Sequence, residues 1–166
     1  MHIRQALAEE HSSVAQVLRA AAVDLEARGR PLWSSEETSE AAVHEHVRQG
    51  LYHLAIDADE GPVGVFRFEF DDRIFWPEIP EGSSAFVHKL AVCPQRQGGK
   101  VAQALLNHAC ALTRQHGRRF LRLDCMGGRP GLKAFYQRFG FRHHSDLTLR
   151  GQLFHRFEFD MERAAA

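Results

Sequence analysis

The chain has 166 residues, 44% of them hydrophobic and 25% charged, which is typical of one globular domain with room for a sizeable core. Its 21 basic side chains equal its 21 acidic ones in number, so the composition argues against a nucleic-acid-binding surface, which needs an excess of positive charge. Three widely spaced cysteines favour a reducing compartment over a disulfide framework. With no apolar leader and no run of membrane-spanning length, the sequence predicts a cytoplasmic protein without membrane contact.

The first third of the chain predicts one strand and two helices. A short strand over residues 2–6 precedes a helix for which Ser12 offers an N-cap. A second helix is predicted to begin near Ser34, because the spacing from Ser34 to Glu37 is that of a capping box, and to run to Gln49.

The remainder alternates strands and helices. Strands are predicted at 51–57, 63–71, 86–93, 119–125, 142–149 and 153–160, and helices at about 100–117 and 130–139. Residues 72–84 are interpreted as an excursion over one face of the sheet. The resulting order, β-α-α-β-β-β-α-β-α-β-β, predicts a single α/β domain over residues 1–166, with a mixed, mostly antiparallel sheet of about seven strands flanked by about four helices.

The most informative segment is the junction between the strand ending before Pro94 and the helix after Gly98-Gly99. A helix N-terminus presents unpaired backbone N–H groups and a partial positive charge, and glycines before it allow a bulky anion to approach the backbone. The segment therefore predicts a pyrophosphate-binding loop.

Two common phosphate-binding motifs do not fit this loop. A nucleoside-triphosphate P-loop needs a glycine where Pro94 stands and a serine or threonine where Val101 stands. A dinucleotide fingerprint needs three spaced glycines, and only Gly98 and Gly99 are present.

A third pattern fits better, because the loop resembles the acyl-CoA loop of the GNAT family of N-acetyltransferases. That family usually has Arg or Gln, two residues, Gly, one residue, then Gly or Ala, and Gln97 and Ala102 match its first and last positions. Lys100 replaces the central glycine, while Gly99 lies one place earlier. A frame that starts at Arg96 recovers Gly99 as the centre but misplaces the flanking residues, so we prefer the Gln97 frame.

A second segment supports the same resemblance. Phe135-Tyr136, followed after three residues by Gly140-Phe141, is similar to the family's other signature segment. Two positions depart from the family pattern, namely Arg129 and Leu132. Two signatures in the right order are more specific than either alone.

The resemblance implies transfer of an acetyl group from acetyl-CoA to a primary amine, of a small molecule or of a protein. It implies that backbone groups of Leu90, Ala91 and Val92 hold the pantetheine and polarise the thioester. It further implies pyrophosphate binding by Gln97, Gly98, Gly99, Lys100, Val101 and Ala102. The remaining implied cofactor contacts are Arg129, Leu132 and Phe135.

The resemblance also implies that Tyr136 protonates the CoA sulfur, for which a phenol that stays protonated at neutral pH is suited. The alternative is that Tyr136 only packs in the core. Glu69 and His88 are both candidates for the general base, and bulk water is a third. The next candidates are Asp71, Asp72 and Glu78, for which a solvated or substrate-orienting role is the simpler interpretation.

The sequence supports further expectations about metal binding, the alternative function and the acceptor rim. No metal site is predicted, because the His44/His46 and His143/His144 pairs are badly spaced for sharing an ion. A non-catalytic acyl-CoA-binding module is the alternative function, and a homodimer is compatible with the sequence. The acceptor rim can include Trp33, Phe75 and Trp76, and the tryptophans are equally consistent with a dimer interface or with packing across the sheet.

Overall fold

The computed structural model describes residues 1–164, and its elements follow the predicted order. The strands are β1 (His2–Gln5), β2 (Tyr52–Asp57), β3 (Gly61–Glu69), β4 (Ser84–Val92), β5 (Phe120–Met126), β6 (Arg142–Leu149) and β7 (Gln152–Asp160). The helices are α1 (His11–Ala27), α2 (Glu40–Arg48), α3 (Lys100–Gln115), α4 (Pro130–Phe139) and the short α5 (Met161–Ala164), with one turn of 3₁₀ helix at Pro94–Arg96.

The strands form a seven-stranded sheet in the order β1-β2-β3-β4-β5-β7-β6. Antiparallel pairing joins β1 to β2, β2 to β3, β5 to β7 and β6 to β7, whereas β4 and β5 are parallel, in register from Ser84↔Phe120 to Phe86↔Arg122. A parallel pair needs a crossover connection, which α3 supplies. The predicted mixed, mostly antiparallel sheet is therefore confirmed.

The chain divides into two compact units, of which the first comprises Met1–Phe68 and Lys89–Leu106. Its core includes apolar side chains of α1, α2 and the adjoining strands, among them Val14, Leu18, Val43, Val47 and Leu54. Gly64 in β3 is required for close packing, since a Cβ there would lie 2.8 Å from Val101 Cγ1 and 2.9 Å from Leu105 Cδ1.

The second unit comprises Glu69–His88 and the chain from Asn107 onward. Trp76, which is 2% exposed, lies in its interior. The guanidinium groups of Arg122 and Arg156 are 5.0 and 4.6 Å from the indole ring. Arg156 also donates to the carbonyl oxygen of Phe75 at 2.8 Å, and this hydrogen bond helps to hold residues 72–84 in place within the unit. Trp76 is thus a core residue, so the interpretation of it as packed is confirmed and its place on an acceptor rim is wrong.

The start of the second helix was also predicted wrongly. Ser34 and Glu37 do exchange hydrogen bonds, with Glu37 N–H donating to Ser34 Oγ and Ser34 N–H to Glu37 Oε2, but they stabilise an isolated turn. The helix itself begins at Glu40, where Ser39 Oγ accepts a hydrogen bond from Ala42 N–H at 3.1 Å. Two serine-based caps in close succession are indistinguishable from spacing alone.

The structure refines three smaller points. α1 begins at His11, ahead of the expected serine cap and without a side-chain cap, and the short α5 was not predicted. The three cysteines are all free thiols, as expected for a chain without a disulfide framework. No helix among residues 1–164 is both long and apolar enough to cross a lipid bilayer.

Candidate active site

The glycine pair of the phosphate-binding loop has a backbone conformation that other residues rarely adopt. Gly98 has φ 124° and Gly99 has φ 93°, and α3 begins at the next residue, Lys100. A Cβ at Gly98 would meet nothing within 4 Å, so glycine is needed there for conformation and not for space. The pair therefore leads directly into the first free N–H groups of a 16-residue helix.

Ion pairs anchor the residues just before these glycines. Arg96 donates to Glu60 Oε1 at 2.8 Å and lies 3.1 Å from Asp57 Oδ2. The amide of Gln97 donates to Asp24 Oδ2 at 3.4 Å. These contacts hold the side chains of both Arg96 and Gln97 in place beside the glycine pair.

A second unusual backbone conformation occurs within β4, immediately before Leu90. Lys89 has φ 53°, which is uncommon for a non-glycine residue and is often found at functional sites. Its ammonium lies 3.5 Å from Glu37 Oε1 and 5.1 Å from the ring centre of Trp33. Burial lowers the pKa of Lys89, and the Glu37 carboxylate opposes that shift. Trp33 is partly buried beneath this cation, so it packs against the core.

Both predicted base candidates lie together in the second unit. His88 Nε2 is 3.4 Å from Glu69 Oε2 and 3.4 Å from Asp72 Oδ2. The side chains are mostly shielded, with 13% of His88, 21% of Glu69 and 5% of Asp72 exposed. The end of β3 supplies the Glu69 carboxylate and β4 supplies the His88 imidazole, so the two side chains lie together.

Asp124 on β5 joins this group, and sequence reasoning missed it. One donor atom from each of Asp72, His88 and Asp124 lies within 4.8 Å of the other two, and we name these three residues the β4–β5 cluster. Burial raises the pKa of Asp124 to about 7; Asp72 raises it further and Arg156 lowers it. This carboxyl therefore exchanges its proton near neutral pH. A single aspartate within a largely apolar strand gives no sequence signal for such a role.

Asp72 has a structural duty as well. Its Oδ1 accepts hydrogen bonds from the backbone N–H groups of Ile74 and Phe75 at 3.0 and 2.9 Å. Its second oxygen, Oδ2, faces His88. One oxygen thus holds the turn after β3 while the other lies 3.4 Å from the imidazole nitrogen. Asp72 is buried, so the interpretation of it as a solvated residue was wrong.

Tyr136 lies on α4 and is 5% exposed. Its ring centre is 5.6 Å from that of Phe135 and 5.8 Å from those of Phe141 and Phe157. Burial raises the pKa of Tyr136, and Cys125 and Asp124 raise it further, so its phenol is protonated at all physiological pH values. The residue both packs in an aromatic group and retains the proton that an acid must donate.

The other implied cofactor residues of this segment lie at or near the start of α4. Arg129 is the N-cap residue, and its guanidinium contacts Met126 Sδ at 3.7 Å. Leu132 and Phe135 are half-buried on the same helix. Gly140, with φ 120°, ends α4 and lies against the ring of Phe159.

Comparison with protein families gives one clear match. A profile described as the acetyltransferase (GNAT) family matches residues 17–141, which include the glycine loop, the β4–β5 cluster and Tyr136. A search of curated proteins gave no significant match.

Solved structures show the same fold at low sequence identity. An acetyltransferase of the GNAT family from Listeria monocytogenes superposes with a TM-score of 0.78 at 17% identity, covering 96% of this chain and 94% of its own. The PaiA N-acetyltransferase from Thermoplasma acidophilum, solved with coenzyme A, gives 0.72 at 17% identity over 95% and 98% of the two chains. Mutant forms of the spermidine/spermine N-acetyltransferase SpeG from Vibrio cholerae give 0.67 at 16% identity over 99% and 96%.

Proposed function

Because the chain belongs to the GNAT family of acetyltransferases, we propose that it transfers the acetyl group of acetyl-CoA to a primary amine. The observation that carries the proposal is the pair of left-handed glycines at the amino end of α3, which leaves backbone N–H groups available to an anion. An exposed lysine at the first helical position adds a positive charge suited to a pyrophosphate.

We propose that backbone groups make the main contacts with the cofactor. The N–H groups from Gln97 to Ala102 bind the pyrophosphate, and the ammonium of Lys100 adds to this attraction. Backbone groups of Leu90–Val92 hold the pantetheine, directly after the strained Lys89. Arg129, Leu132 and Phe135 complete the cofactor contacts from the start of α4.

The reaction forms a C–N bond between acceptor and acetyl group and breaks the C–S bond of the thioester. His88 accepts the first proton that the ammonium group of the acceptor loses, and Glu69 and Asp72 orient and stabilise the imidazolium that results. The second proton, lost by the nitrogen after the C–N bond forms, balances the proton that the sulfur gains and restores the phenol that gave it. Tyr136 donates a proton to the departing sulfur, since burial keeps its phenol protonated. Asp124, with a pKa of about 7, is suited to take up and return the proton that reaches this cluster.

The acceptor best suited to these residues is an aliphatic amine. Such amines are cations before they react, and the carboxylates of Glu69 and Asp72 attract a cation. SpeG, which shares the fold, is named for acetylation of spermidine and spermine, so polyamines belong in the first acceptor panel beside peptides with free amino groups.

Thioester consumption measured over this panel, together with the affinity for acetyl-CoA, tests the proposal. We expect turnover with at least one amine, and Tyr136→Phe should lower kcat about a hundredfold while acetyl-CoA affinity stays within about twofold. Tyr52→Phe, at the only other tyrosine, is the matched control and should retain turnover. Tight acetyl-CoA binding without turnover on any acceptor would instead identify a non-catalytic acyl-CoA-binding module.

A further inference from the structure

The pairing of β6 with β7 is irregular, and this irregularity brings three polar side chains together. Its pairing shifts between His143 and Ser145, so that His144 is an additional residue, a β-bulge. In a regular strand, residues three apart face opposite sides. The bulge cancels this alternation and brings His143 and Asp146 to one face, where Asp146 lies directly opposite His155.

The additional residue of the bulge, His144, points toward Trp76. The ring of His144 contacts Trp76 edge-on, with centres 5.2 Å apart. The bulge therefore directs two adjacent histidines to different sides of the hairpin. Adjacent histidines alone gave no reason to expect a shared ligand, and only pairing with β7 creates the group.

Three donor atoms converge on the side of the hairpin that His143 shares with His155. Asp146 Oδ1 lies 2.7 Å from His143 Nε2 and 2.7 Å from His155 Nδ1. All three atoms are within 4.8 Å of one another. The side chains of His143, Asp146 and His155 are 36%, 49% and 18% exposed, so solvent reaches the group. We name these three residues the β6–β7 cluster.

Two imidazoles and one carboxylate form a donor set that suits Zn²⁺. Tetrahedral Zn²⁺ with nitrogen and oxygen ligands at about 2.1 Å needs ligand atoms about 3.4 Å apart. The rings would move outward from their present hydrogen-bond distance by less than about 1 Å, and exposed side chains can make such a movement. Water would complete the fourth position because the face is open.

We propose that His143, Asp146 and His155 form a binding site for a divalent transition-metal ion of the Zn²⁺ class that ties β6 to β7. The donors come from both strands of the hairpin, so a bound ion would stabilise their pairing. The proposal is independent of acetyl transfer, because none of the three residues is assigned to that reaction.

Calorimetric titration of the full chain with Zn²⁺ tests the site. The unaltered protein should bind one equivalent saturably, and Asp146→Asn and His155→Asn should each weaken binding at least tenfold, since even outer partners of metal ligands matter by about that factor. His144→Asn is the matched control, because this neighbouring ring faces Trp76, and it should retain affinity. Melting temperatures without metal check that each variant is folded.

A second measurement identifies the ligating atoms. In nitrogen-15 spectra of the imidazoles, Zn²⁺ should shift Nε2 of His143 and Nδ1 of His155, the two atoms that face Asp146. Zn²⁺ should also raise the melting temperature of the unaltered protein and not that of Asp146→Asn. Absence of saturable binding, or binding unchanged in both ligand variants, would overturn the proposal and leave an ordinary hydrogen-bonded network.

Discussion

The β4–β5 cluster and the β6–β7 cluster contain the same kinds of side chain in opposite surroundings. In the first, burial raises the pKa of Asp124 to about 7. In the second, hydrogen bonds from His155 and then His143 lower the pKa of the exposed Asp146. Histidine and aspartate therefore do not define a role by themselves, because burial and hydrogen bonding together decide whether the carboxyl holds a proton or stays an anion. The first arrangement suits proton transfer and the second suits a cation.

The largest expected difference between the clusters is in catalysis. His88→Gln should lower kcat about a hundredfold or more, because it removes the proposed base, while His155→Gln should leave kcat within about twofold. Initial rates at saturating acetyl-CoA measure both. Equal losses in the two variants would remove the distinction, and a larger loss in Glu69→Gln than in His88→Gln would transfer the role of base to Glu69.

The next difference concerns stability against pH. Asp124 has a pKa of about 7 in the folded chain and about 3.9 when unfolded. Between these values the folded state binds more protons, so this group makes the free energy of unfolding decrease as pH rises, by at most about 1.4 kcal/mol per pH unit. Well above pH 7 the carboxyl is ionised in both the folded and the unfolded state, so the free energy of unfolding no longer changes with pH through this group.

Urea unfolding at pH 5 and pH 8 measures this contribution. Asp124→Asn should lose less stability than the unaltered protein between the two pH values, because the amide does not ionise. Asp146→Asn is the control and should lose as much as the unaltered protein over the same range. If Asp124→Asn shows no such change, the carboxyl is already ionised well below neutral pH.

The smallest expected effect is that of Asp146→Asn on unfolding in the absence of metal. Its carboxylate is 49% exposed, and exposed ion pairs contribute little to stability. The urea midpoint at pH 7 should therefore stay close to that of the unaltered protein. A large fall would show that the hydrogen-bonded network itself holds the hairpin together.

Much of the fold was predictable because its signals are local. Hydrophobic periodicity and glycine positions gave the order of elements, and the strand predicted at 142–149 has the same bounds as β6. Helix starts were less predictable, since Ser34 and Ser39 both form caps and only packing selects the one that begins α2. The sequence left the place of Trp76 open for a related reason, because its two arginine neighbours come from distant strands.

The parts of the candidate site also differ in how far the sequence predicts them. The glycine loop was visible in the sequence, since consecutive residues supply the backbone conformation that an anion needs. The partners of His88 were not all visible, because Asp72 follows β3 and Asp124 lies on β5, and sequence spacing carries no information on which strands are neighbours.

The sequence by itself determined the succession of strands and helices, the glycine loop at α3 and the family resemblance. These depend on backbone preferences and side-chain periodicity over a few neighbouring residues. Only the tertiary structure decided which histidines and carboxylates share a surrounding and which are shielded from water. The bulge at His144 shows why: one extra residue in one strand reverses which side chains face together, and its effect exists only once β7 is paired beside it.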